Sequence, residues 1–364
     1  MLVKVCRPAV FCCLDRYIEM AYTDVSLKRK GHLPVESINV VVTSPVGEQY
    51  VKQIAAVSSK IKVTDAYELN RAERKDNFDN KEQLDAVLAD TEVIYGFDLP
   101  RDVYSRAPRL KWFQAMWAGI EGYVDDEFRR STVMMTTVSG IHAVPMAEYV
   151  IMTMLMFVKG MPRCFEQKQQ KLWKRFNQAD LRSKVVGIVG LGHIGREVAR
   201  LAKAFGMEVI ATRRSAKPGA RAKYVDRLFS REQLPQLLSN SDFVVLSLPV
   251  TPETKNIIGE KELKNMKSTA YLINVARGTV IDENALIRAL EGNTIAGAGL
   301  DVFSAEPLPT DSKLWELPNV IFTPHISGNL DNYYKLATDL FCENLKRYVN
   351  GKKLFNVVDR KKGY

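Results

Sequence analysis

A glycine-rich turn in the middle of the chain constrains its fold more than any other stretch. The segment "VGIVGLGHIG" ends a run of β-branched residues with Gly190, Gly192 and Gly195, and the amphipathic stretch "REVARLAKAFG" follows directly. The first glycine permits a tight turn, the second lets the backbone approach a pyrophosphate, and the third lets a helix pack closely on a strand. The amides that open such a helix bind phosphate. The pattern therefore predicts a dinucleotide-binding site rather than a plain strand-to-helix turn.

The rest of the chain alternates short β-branched runs with amphipathic helical stretches from residue 37 onward. That alternation is typical of parallel sheets joined by right-handed crossovers, and it predicts an α/β fold class. Five predicted strands lie between residues 38 and 138, and six more lie between residues 184 and 325. A long helix is predicted from about Pro145 to Leu172, and another after His325. A chain of 364 residues suits two domains, which allows a cleft between them.

The net charge of +10 raises the question of an acidic partner. Much of the charge lies in the segment 159–184, in the C-terminal "GKKLFNVVDRKKGY" and in the cluster "TRRSAKPGARAK". No nucleic-acid motif or aromatic platform accompanies these clusters, so no nucleic-acid partner is expected and the first two are interpreted as solvated faces. The third cluster falls at the end of the strand that follows the glycine turn.

Hydropathy and cysteine content narrow the class of protein further. The richest apolar stretch, "YVIMTMLMFVKG", falls short of the roughly 20 residues that span a bilayer, so no membrane association is predicted. The N-terminus has a short apolar patch without a small-residue cleavage site, which argues against a signal peptide. Neither a disulfide framework nor a metal site is expected, because no Cys-x-x-Cys pair occurs among the five cysteines, which are Cys6, Cys12, Cys13, Cys164 and Cys342. These features favour a cytoplasmic protein.

The strand after the glycine turn indicates which dinucleotide the site would take. An NAD site places an acid about 20 residues after the glycines to bind the ribose hydroxyls, but this strand ends "ATRRS" without one. A carboxylate there would repel a 2′-phosphate, whereas Arg213 and Arg214 can pair with it through charged, multidentate hydrogen bonds. NADP(H) is therefore the predicted cofactor and NAD(H) the weaker alternative, with Thr212, Ser215 and Lys217 as further candidates. The alternative for one of the two arginines is that it faces water.

The four histidines can be compared singly as carriers of a proton near neutral pH. His32 lies in residues 1–36, which match neither series of strands, and His193 sits inside the glycine turn. His142 precedes the long predicted helix, where it would shape a loop or approach the domain junction. His325 lies in "TPHISG" at the carboxyl end of a predicted strand, where open parallel sheets bind their ligands. It is the candidate proton donor.

Two charged residues share this type of position with His325. Arg277 ends the predicted strand "LINVARG", and Glu306 follows "GAGLDVF". Reduction of a carbonyl by hydride needs a proton donor, a cation that holds the substrate carboxylate, and a group that keeps the donor charged. A carboxylate beside an imidazole favours the charged ring and fixes its tautomer. The three residues supply these functions jointly, although each taken singly is also compatible with a strand-end or surface role.

Five ordered segments extend the pattern: "GLGHIG", "SLPVTPETKNIIG", "INVARGTVIDENALIRAL", "GLDVFSAEPLP" and "LPNVIFTPHISG". Together they resemble the D-isomer-specific 2-hydroxyacid dehydrogenase family over about residues 38 to 350. The resemblance implies a Rossmann-type nucleotide-binding domain inserted into a flavodoxin-like substrate domain, an active site in the cleft, and a homodimer formed through the nucleotide domain. We assign residues 141–327 to the nucleotide domain and residues 37–140 with 328–364 to the substrate domain. Residues 1–36 are an N-terminal extension without a counterpart in the family.

The same resemblance assigns residues to the site. The family's catalytic arginine, glutamate and histidine fall on Arg277, Glu306 and His325. Its NAD-selecting aspartate falls on Arg213, and its nicotinamide-amide contact falls on Asp301. The implied cofactor-binding set is Gly190, Gly192, His193, Ile194, Gly195, Thr212, Arg213, Arg214, Leu248, Pro249, Thr254, Val275, Ala276, Asp301, Ser327 and Gly328.

The substrate side is implied by resemblance as well. The family's substrate-carboxylate loop falls on "MWAGIEG", so Trp117, Ala118 and Gly119 are expected to bind the substrate together with Arg277. Trp117 departs from the family, because its position is commonly occupied by a smaller residue. "SGNL" after the histidine is a second departure, since relatives often carry a threonine shortly after the glycine. Trp117 is expected either to wall the pocket or to pack under the loop, and both departures leave open which substrate the pocket admits.

The expected reaction is reduction of a 2-oxo acid to a D-2-hydroxy acid. Glyoxylate and hydroxypyruvate are the candidate substrates, and a bulkier 2-oxo acid is the alternative. Two other enzymes of the same family, formate dehydrogenase and phosphoglycerate dehydrogenase, are rival interpretations. Formate dehydrogenases pair a glutamine with their histidine, whereas this chain has Glu306. The longer phosphoglycerate dehydrogenases carry a regulatory domain that the short C-terminal segment is not expected to hold. A rival of another class is a dinucleotide-sensing binding protein that resembles the C-terminal binding protein corepressors, which share the fold and the triad. The arginine pair argues against it, because those sensors bind NAD(H).

Overall fold

The computed structural model describes residues 37–119, 125–214, 216 and 219–360. The predicted extension over residues 1–36, which contains His32 and three of the cysteines, lies outside these ranges. The two additional phosphate-site candidates, Ser215 and Lys217, lie outside them as well.

Two compact units make up the described chain. Of the described residues, the first unit contains those up to Met116, Ser131–Thr136 and Thr338–Val357, and the second contains those within Trp117–Arg130, within Thr137–Ala337 and from Val358 onward. These boundaries differ from the predicted ones, because the turn after the first sheet already packs within the second unit. There, Ser139 Oγ lies 3.4 Å from His193 Nδ1, and His142 Nδ1 lies 2.9 Å from the Gly328 carbonyl oxygen.

The first unit is built on a five-stranded parallel sheet. Its strands are β1 (Ile38–Val42), β2 (Ile61–Asp65), β3 (Val93–Gly96), β4 (Trp112–Ala115) and β5 (Met134–Thr136). Their order, β2-β1-β3-β4-β5, is that of flavodoxin-like folds. Strands β3 and β4 are buried along their whole length, as expected for a parallel sheet covered on both faces.

The second unit is built on a seven-stranded parallel sheet. Its strands are β6 (Val185–Val189), β7 (Glu208–Thr212), β8 (Arg227–Phe229), β9 (Phe243–Leu246), β10 (Tyr271–Asn274), β11 (Gly297–Leu300) and β12 (Val320–Phe322). The order β12-β11-β10-β9-β6-β7-β8 is that of a Rossmann fold extended by one strand. Both predicted domain types are therefore confirmed. Strand β8 was not predicted, because three residues with no apolar alternation give no strand signal.

Helices cover the sheets of both units. In the described chain they are α1 (Glu48–Ala55), α2 (Tyr67–Arg74), α3 (Lys81–Ala89), α4 (Val103–Arg106), α5 (Asp126–Arg130), α6 (Ala143–Val158), α7 (Met161–Gln169), α8 (His193–Ala204), α9 (Leu234–Asn240), α10 (Glu260–Asn265), α11 (Glu283–Glu291) and α12 (Tyr333–Val349). Helix α12 matches the helix predicted after His325, and its Phe341 ring stacks on Tyr95 of the first sheet at 4.3 Å.

The long helix predicted from Pro145 to Leu172 is wrong as one element. Gly160 adopts a left-handed conformation with φ 63°, which ends α6 and starts α7 in a new direction. Pro162 then stands in the first turn of α7, where a missing amide costs nothing. Within the described ranges no single helix has the length and apolarity to cross a membrane. The pair α6 and α7, bent by 63°, meets that test only when its members are combined.

Candidate active site

The predicted site segments of the second unit follow the carboxyl ends of its strands. The glycine turn follows β6, the arginine pair follows β7, and Arg277 follows β10. Glu306 and His325 follow β11 and β12. In a parallel sheet these ends lie along one edge, and the order of the strands reverses between β6 and β9, where doubly wound sheets bind their ligands. The fold thus gathers the predicted residues at a ligand-binding edge.

The glycine turn has the geometry that its three glycines predict. Gly190 has φ 102°, and a Cβ there would collide with the Ser247 carbonyl. The Ser247 side-chain hydroxyl donates to the Gly190 carbonyl at 2.8 Å. A Cβ on Gly195 would overlap the Gly190 carbonyl, so this position requires close packing. A Cβ on Gly192 would meet nothing within 4 Å. The space beside Gly192, at the start of helix α8 with His193 and Ile194, is therefore free, and this position suits a pyrophosphate.

The arginine pair stands at the end of β7, directly after the buried Thr212. The Arg213 amide donates to the Phe229 carbonyl at 3.2 Å, which ties the end of β7 to β8. Among the described residues, the buried Nε of Arg213 finds no hydrogen-bond partner. Buried donors are normally paired, so this one suits an anionic ligand. Arg214 is exposed.

The turn after β9 carries three of the predicted cofactor residues. Leu248 and Pro249 follow the strand, and Thr254 Oγ1 donates to the Pro249 carbonyl at 2.8 Å. The same oxygen accepts a hydrogen bond from the Thr251 amide at 2.7 Å. Thr254 therefore holds this turn together through its side chain.

Arg277 is fixed by the backbone around it at the end of β10. The buried Asn274 side chain accepts from the Ala276 amide at 3.0 Å and donates to the Arg277 carbonyl at 3.0 Å. Arg277 Nη1 donates to the Ala276 carbonyl at 2.8 Å. The next residue must be glycine, because a Cβ on Gly278 would overlap the backbone of Phe303. This close approach brings the arginine beside the segment that follows β11.

His325 and Glu306 are joined by a side-chain hydrogen bond. His325 Nδ1 lies 2.8 Å from Glu306 Oε2, and Glu306 Oε1 accepts from the Phe303 amide at 2.9 Å. Burial alone would raise the pKa of Glu306, but the two hydrogen bonds and the positive charges of His325 and Arg277 lower it below its ordinary value. Glu306 is therefore a carboxylate near neutral pH. With Nδ1 bound to it, the His325 ring presents Nε2 for proton transfer.

Asp301 holds the loop that carries His325. The residue is 1% exposed, and its carboxylate accepts three hydrogen bonds, from Thr323 Oγ1 at 2.5 Å, the Ile326 amide at 2.9 Å and the Ser327 amide at 3.0 Å. These bonds hold His325 at φ 55°, in the left-handed region that residues other than glycine rarely adopt. Sequence reasoning missed this use of Asp301. An acid directly after a buried strand was the available signal, because such a carboxylate needs donors.

The other predicted residues of this edge have less specific surroundings. Val275 and Ala276 are buried at the end of β10. The Ser327 hydroxyl is buried and has no hydrogen-bond partner among the described residues. These positions leave the predicted cofactor contacts as predictions.

His142 and His193 each contact a loop of the second unit. His142 occupies the N-cap position of α6 without a side-chain cap bond, and its Nδ1 lies 2.9 Å from the Gly328 carbonyl oxygen, in the loop that follows His325. Burial lowers the pKa of His142, and the bond to Gly328 opposes this shift only in part. Desolvation, followed by the positive charge of Arg196, lowers the pKa of His193. Both rings are therefore mostly neutral near pH 7.

The segment predicted to bind the substrate carboxylate is described as far as Gly119. It belongs to the second unit, where the Trp117 carbonyl accepts from the Val138 amide at 3.2 Å. Ala118 is exposed, whereas Trp117 is partly buried. Residues 120–124 lie outside the described ranges, so the role of this loop stays a prediction.

Comparison with known sequences identifies the family. Residues 151–327 match the family model described as D-isomer specific 2-hydroxyacid dehydrogenase, NAD binding domain. A glyoxylate reductase of Thermococcus gammatolerans is 36% identical over 259 residues, which cover 69% of this chain and 76% of that protein. A D-3-phosphoglycerate dehydrogenase of Methanocaldococcus jannaschii is 30% identical over 328 residues, which cover 88% of this chain and 59% of that protein. The chain thus spans less than two thirds of the latter relative.

Solved structures agree with the sequence matches. A D-isomer specific 2-hydroxyacid dehydrogenase from Xanthobacter autotrophicus Py2, in complex with NADPH and MES, superposes with a TM-score of 0.77 at 29% identity. That match covers 90% of this chain and all of the other. A family protein from Aeromonas salmonicida has a TM-score of 0.75 at 29% identity, over 89% of this chain and all of the other. The chain therefore belongs to the D-isomer specific 2-hydroxyacid dehydrogenase family.

Proposed function

We propose that this protein reduces a 2-oxo acid to a D-2-hydroxy acid, with NADPH as its cofactor. The observation that carries the proposal is the 2.8 Å pair between His325 Nδ1 and Glu306 Oε2 at the ligand-binding edge of a Rossmann sheet. Arg277 is close enough for its charge to help lower the pKa of Glu306. The close approach of Gly278 to Phe303, whose amide donates to Glu306, supports a common site for the proposed proton donor His325, its partner Glu306 and the substrate-binding Arg277.

In the proposed mechanism Arg277 binds the substrate carboxylate, assisted by the backbone amides of Ala118 and Gly119. Arg277 also polarises the carbonyl that is reduced. The nicotinamide dinucleotide, when bound, supplies the hydride. His325 delivers a proton from Nε2 to the carbonyl oxygen, and Glu306 fixes the ring through Nδ1 and stabilises its charged form.

The end of β7 supports NADPH over NADH. The partnerless Nε of Arg213, within the described chain, would find an acceptor in a 2′-phosphate. No acid ends this strand to bind the ribose hydroxyls, because Thr212 is followed by two arginines. The Xanthobacter relative was solved with NADPH. Gly192, with open space in front of it, fits the shared pyrophosphate of either dinucleotide.

Glyoxylate and hydroxypyruvate are the proposed substrates. The Thermococcus relative is named a glyoxylate reductase. Trp117 supports a small substrate, because an indole at a loop position that binds the substrate carboxylate occupies volume that a larger side chain of the substrate would need. A 2-oxo acid with a branched or aromatic side chain is then expected to react poorly.

A homodimer formed through the second unit is part of the proposal. Four large apolar side chains are exposed along α6, α7 and the segment after them, with exposed fractions of 43% for Met152, 50% for Phe165, 48% for Leu172 and 95% for Trp173. A contiguous surface formed by such exposed apolar side chains would suit association with a second copy of the chain. Size-exclusion chromatography with light scattering tests it, and a monomer at micromolar concentration would contradict it.

The activity is tested by following the oxidation of NADPH and NADH by absorbance over a panel of 2-oxo acids. The panel runs from glyoxylate and hydroxypyruvate to branched and aromatic members. We expect turnover with NADPH on one of the two small substrates and slower turnover with NADH. Silence across the panel from folded protein that binds NADPH would contradict the proposal.

A further inference from the structure

One arginine joins two loops across the nucleotide edge of the second sheet. Arg231 follows β8, and its Nη2 donates to the Glu253 carbonyl, in the turn after β9, at 2.5 Å. In the sheet, β6 and β7 lie between β9 and β8. The bond therefore spans the carboxyl ends of the two strands that lead into the glycine turn and the arginine pair.

The Glu253 side chain is held in that turn by its neighbours. Thr251 Oγ1 donates to Glu253 Oε2 at 2.6 Å. The turn itself is closed by Thr254 Oγ1, which accepts from the Thr251 amide. Glu253 is thus exposed to solvent and yet oriented, because both its carbonyl and its carboxylate have fixed partners.

The positive charges of two arginines, Arg231 and Arg214, act on the Glu253 carboxylate. The hydrogen bond from Thr251 is the main cause that lowers the pKa of Glu253, and the positive charges of Arg231 and Arg214 lower it further. Arg231, whose guanidinium group donates to the Glu253 carbonyl, therefore lies beside this carboxylate before any ligand binds, and the charge of Arg214 acts on it as well. Arg214 is also one of the pair assigned above to a cofactor phosphate.

We propose that Glu253 is a specificity-determining residue of the cofactor site, because its carboxylate competes with a 2′-phosphate for Arg214 and Arg231. It thereby limits the preference for NADPH over NADH. The inference rests on the proposed function, since it requires a cofactor phosphate at the end of β7. A carboxylate near these arginines both repels a phosphate and screens the charges that attract it.

The test compares Glu253→Gln with Glu208→Gln. Glutamine removes the charge at residue 253 but keeps an oxygen that accepts from Thr251. Glu208 is the matched control, because it stands at the amino end of β7, at the opposite edge of the sheet, and pairs there with Arg227 at 3.0 Å. Both variants and the wild type are titrated with 2′,5′-ADP and with 5′-AMP by calorimetry, at low and at high salt.

Glu253→Gln should bind 2′,5′-ADP about 3- to 10-fold more tightly than the wild type at low salt. Its affinity for 5′-AMP should stay within about twofold, and high salt should remove most of the gain because the interaction is exposed. The KM for NADPH should fall while that for NADH holds. Glu208→Gln should behave as the wild type.

Three results would overturn the inference: no change in Glu253→Gln, equal tightening of both ligands, or the same gain in Glu208→Gln. A wild-type protein that binds 2′,5′-ADP no better than 5′-AMP would overturn the NADPH proposal and this inference with it. The wild-type titration therefore distinguishes failure of the proposed cofactor from failure of the role of Glu253 alone.

Discussion

The carboxylate of Glu306 lies 2.8 Å from Nδ1 of His325, and its second oxygen accepts from the Phe303 amide at 2.9 Å. The carboxylate is thus anchored to the backbone before it orients the imidazole. An imidazole held in this way keeps one tautomer and one ring orientation, which is what repeated proton delivery requires.

Glu306→Gln should lower kcat for 2-oxo acid reduction by about 10- to 100-fold and change the acid side of the pH–rate curve. The reason is that a neutral amide does not titrate and orients the ring without a charge. Since the pKa of Glu306 is lowered, the wild-type pair should persist as pH falls, until the pH passes through that lowered value. The measurement is kcat against pH with saturating substrate and NADPH. An unmoved curve would refute the role of Glu306.

His325→Ala should lower kcat by about 100-fold or more, while the dissociation constant for NADPH changes by less than about threefold. The ring contacts Glu306 and follows the edge strand β12, whereas the glycine turn and the arginine pair follow β6 and β7, so cofactor affinity should depend little on the ring. Stopped-flow reduction and fluorescence titration measure the two quantities. Nearly normal turnover in this variant would remove His325 from the mechanism.

Much of this site could be predicted from the sequence because it depends on local signals. A glycine turn after a strand, an arginine pair at a strand end and a histidine between proline and serine each have their meaning in a few residues. Other features depend on the order of strands in the sheet. The bond between Arg231 and Glu253, and the three donors that surround Asp301, join segments that only the folded sheet brings together.

Two errors along the chain have the same physical origin. The helix over Pro145 to Leu172 has a continuous apolar pattern, and only the backbone conformation of Gly160 divides it. Glycine also occurs within helices, so its left-handed conformation is set by packing that the sequence does not display. Strand β8 likewise owes its existence to pairing with β7 rather than to its own three residues.

Arg213→Ala combined with Arg214→Ala should raise the KM for NADPH by about 10- to 100-fold and change that for NADH by less than about threefold. Charged hydrogen bonds to a 2′-phosphate exist only with the phosphorylated cofactor. Initial rates with both cofactors and the preferred substrate measure the difference. An equal loss for both would show that the arginines support the fold and not the phosphate.

Gly278→Ala and Gly192→Ala should separate folding from cofactor binding. A Cβ on Gly278 overlaps the Phe303 backbone, so the first variant should lose about 1–3 kcal/mol of unfolding free energy and, with it, the placement of Arg277. A Cβ on Gly192 meets nothing, so the second variant should keep its Tm but bind NADPH more weakly. Thermal unfolding with and without NADPH measures both the stability of each variant and the stabilisation that the cofactor gives it. A reversed pattern would contradict both assignments.

Asp242→Asn should test a charge that stabilises the second sheet away from the site. Asp242 accepts from the Val185 amide at 2.8 Å and from Lys267 Nζ at 2.9 Å. Burial raises the pKa of Asp242, but these partners outweigh it and leave the pKa below its ordinary value. Its stabilisation is then complete above the ordinary aspartate range and lost as pH falls through the lower folded value. In urea titrations, the free energy of unfolding of the variant should be about 1–2 kcal/mol lower than that of the wild type at pH 7, with a smaller difference near pH 3.

The control is Glu48→Gln, at an exposed pair with Lys52, which should change the free energy of unfolding by less than about 0.5 kcal/mol in the same titrations. A gap for Asp242→Asn that is independent of pH would show that the lost contacts are steric rather than ionic.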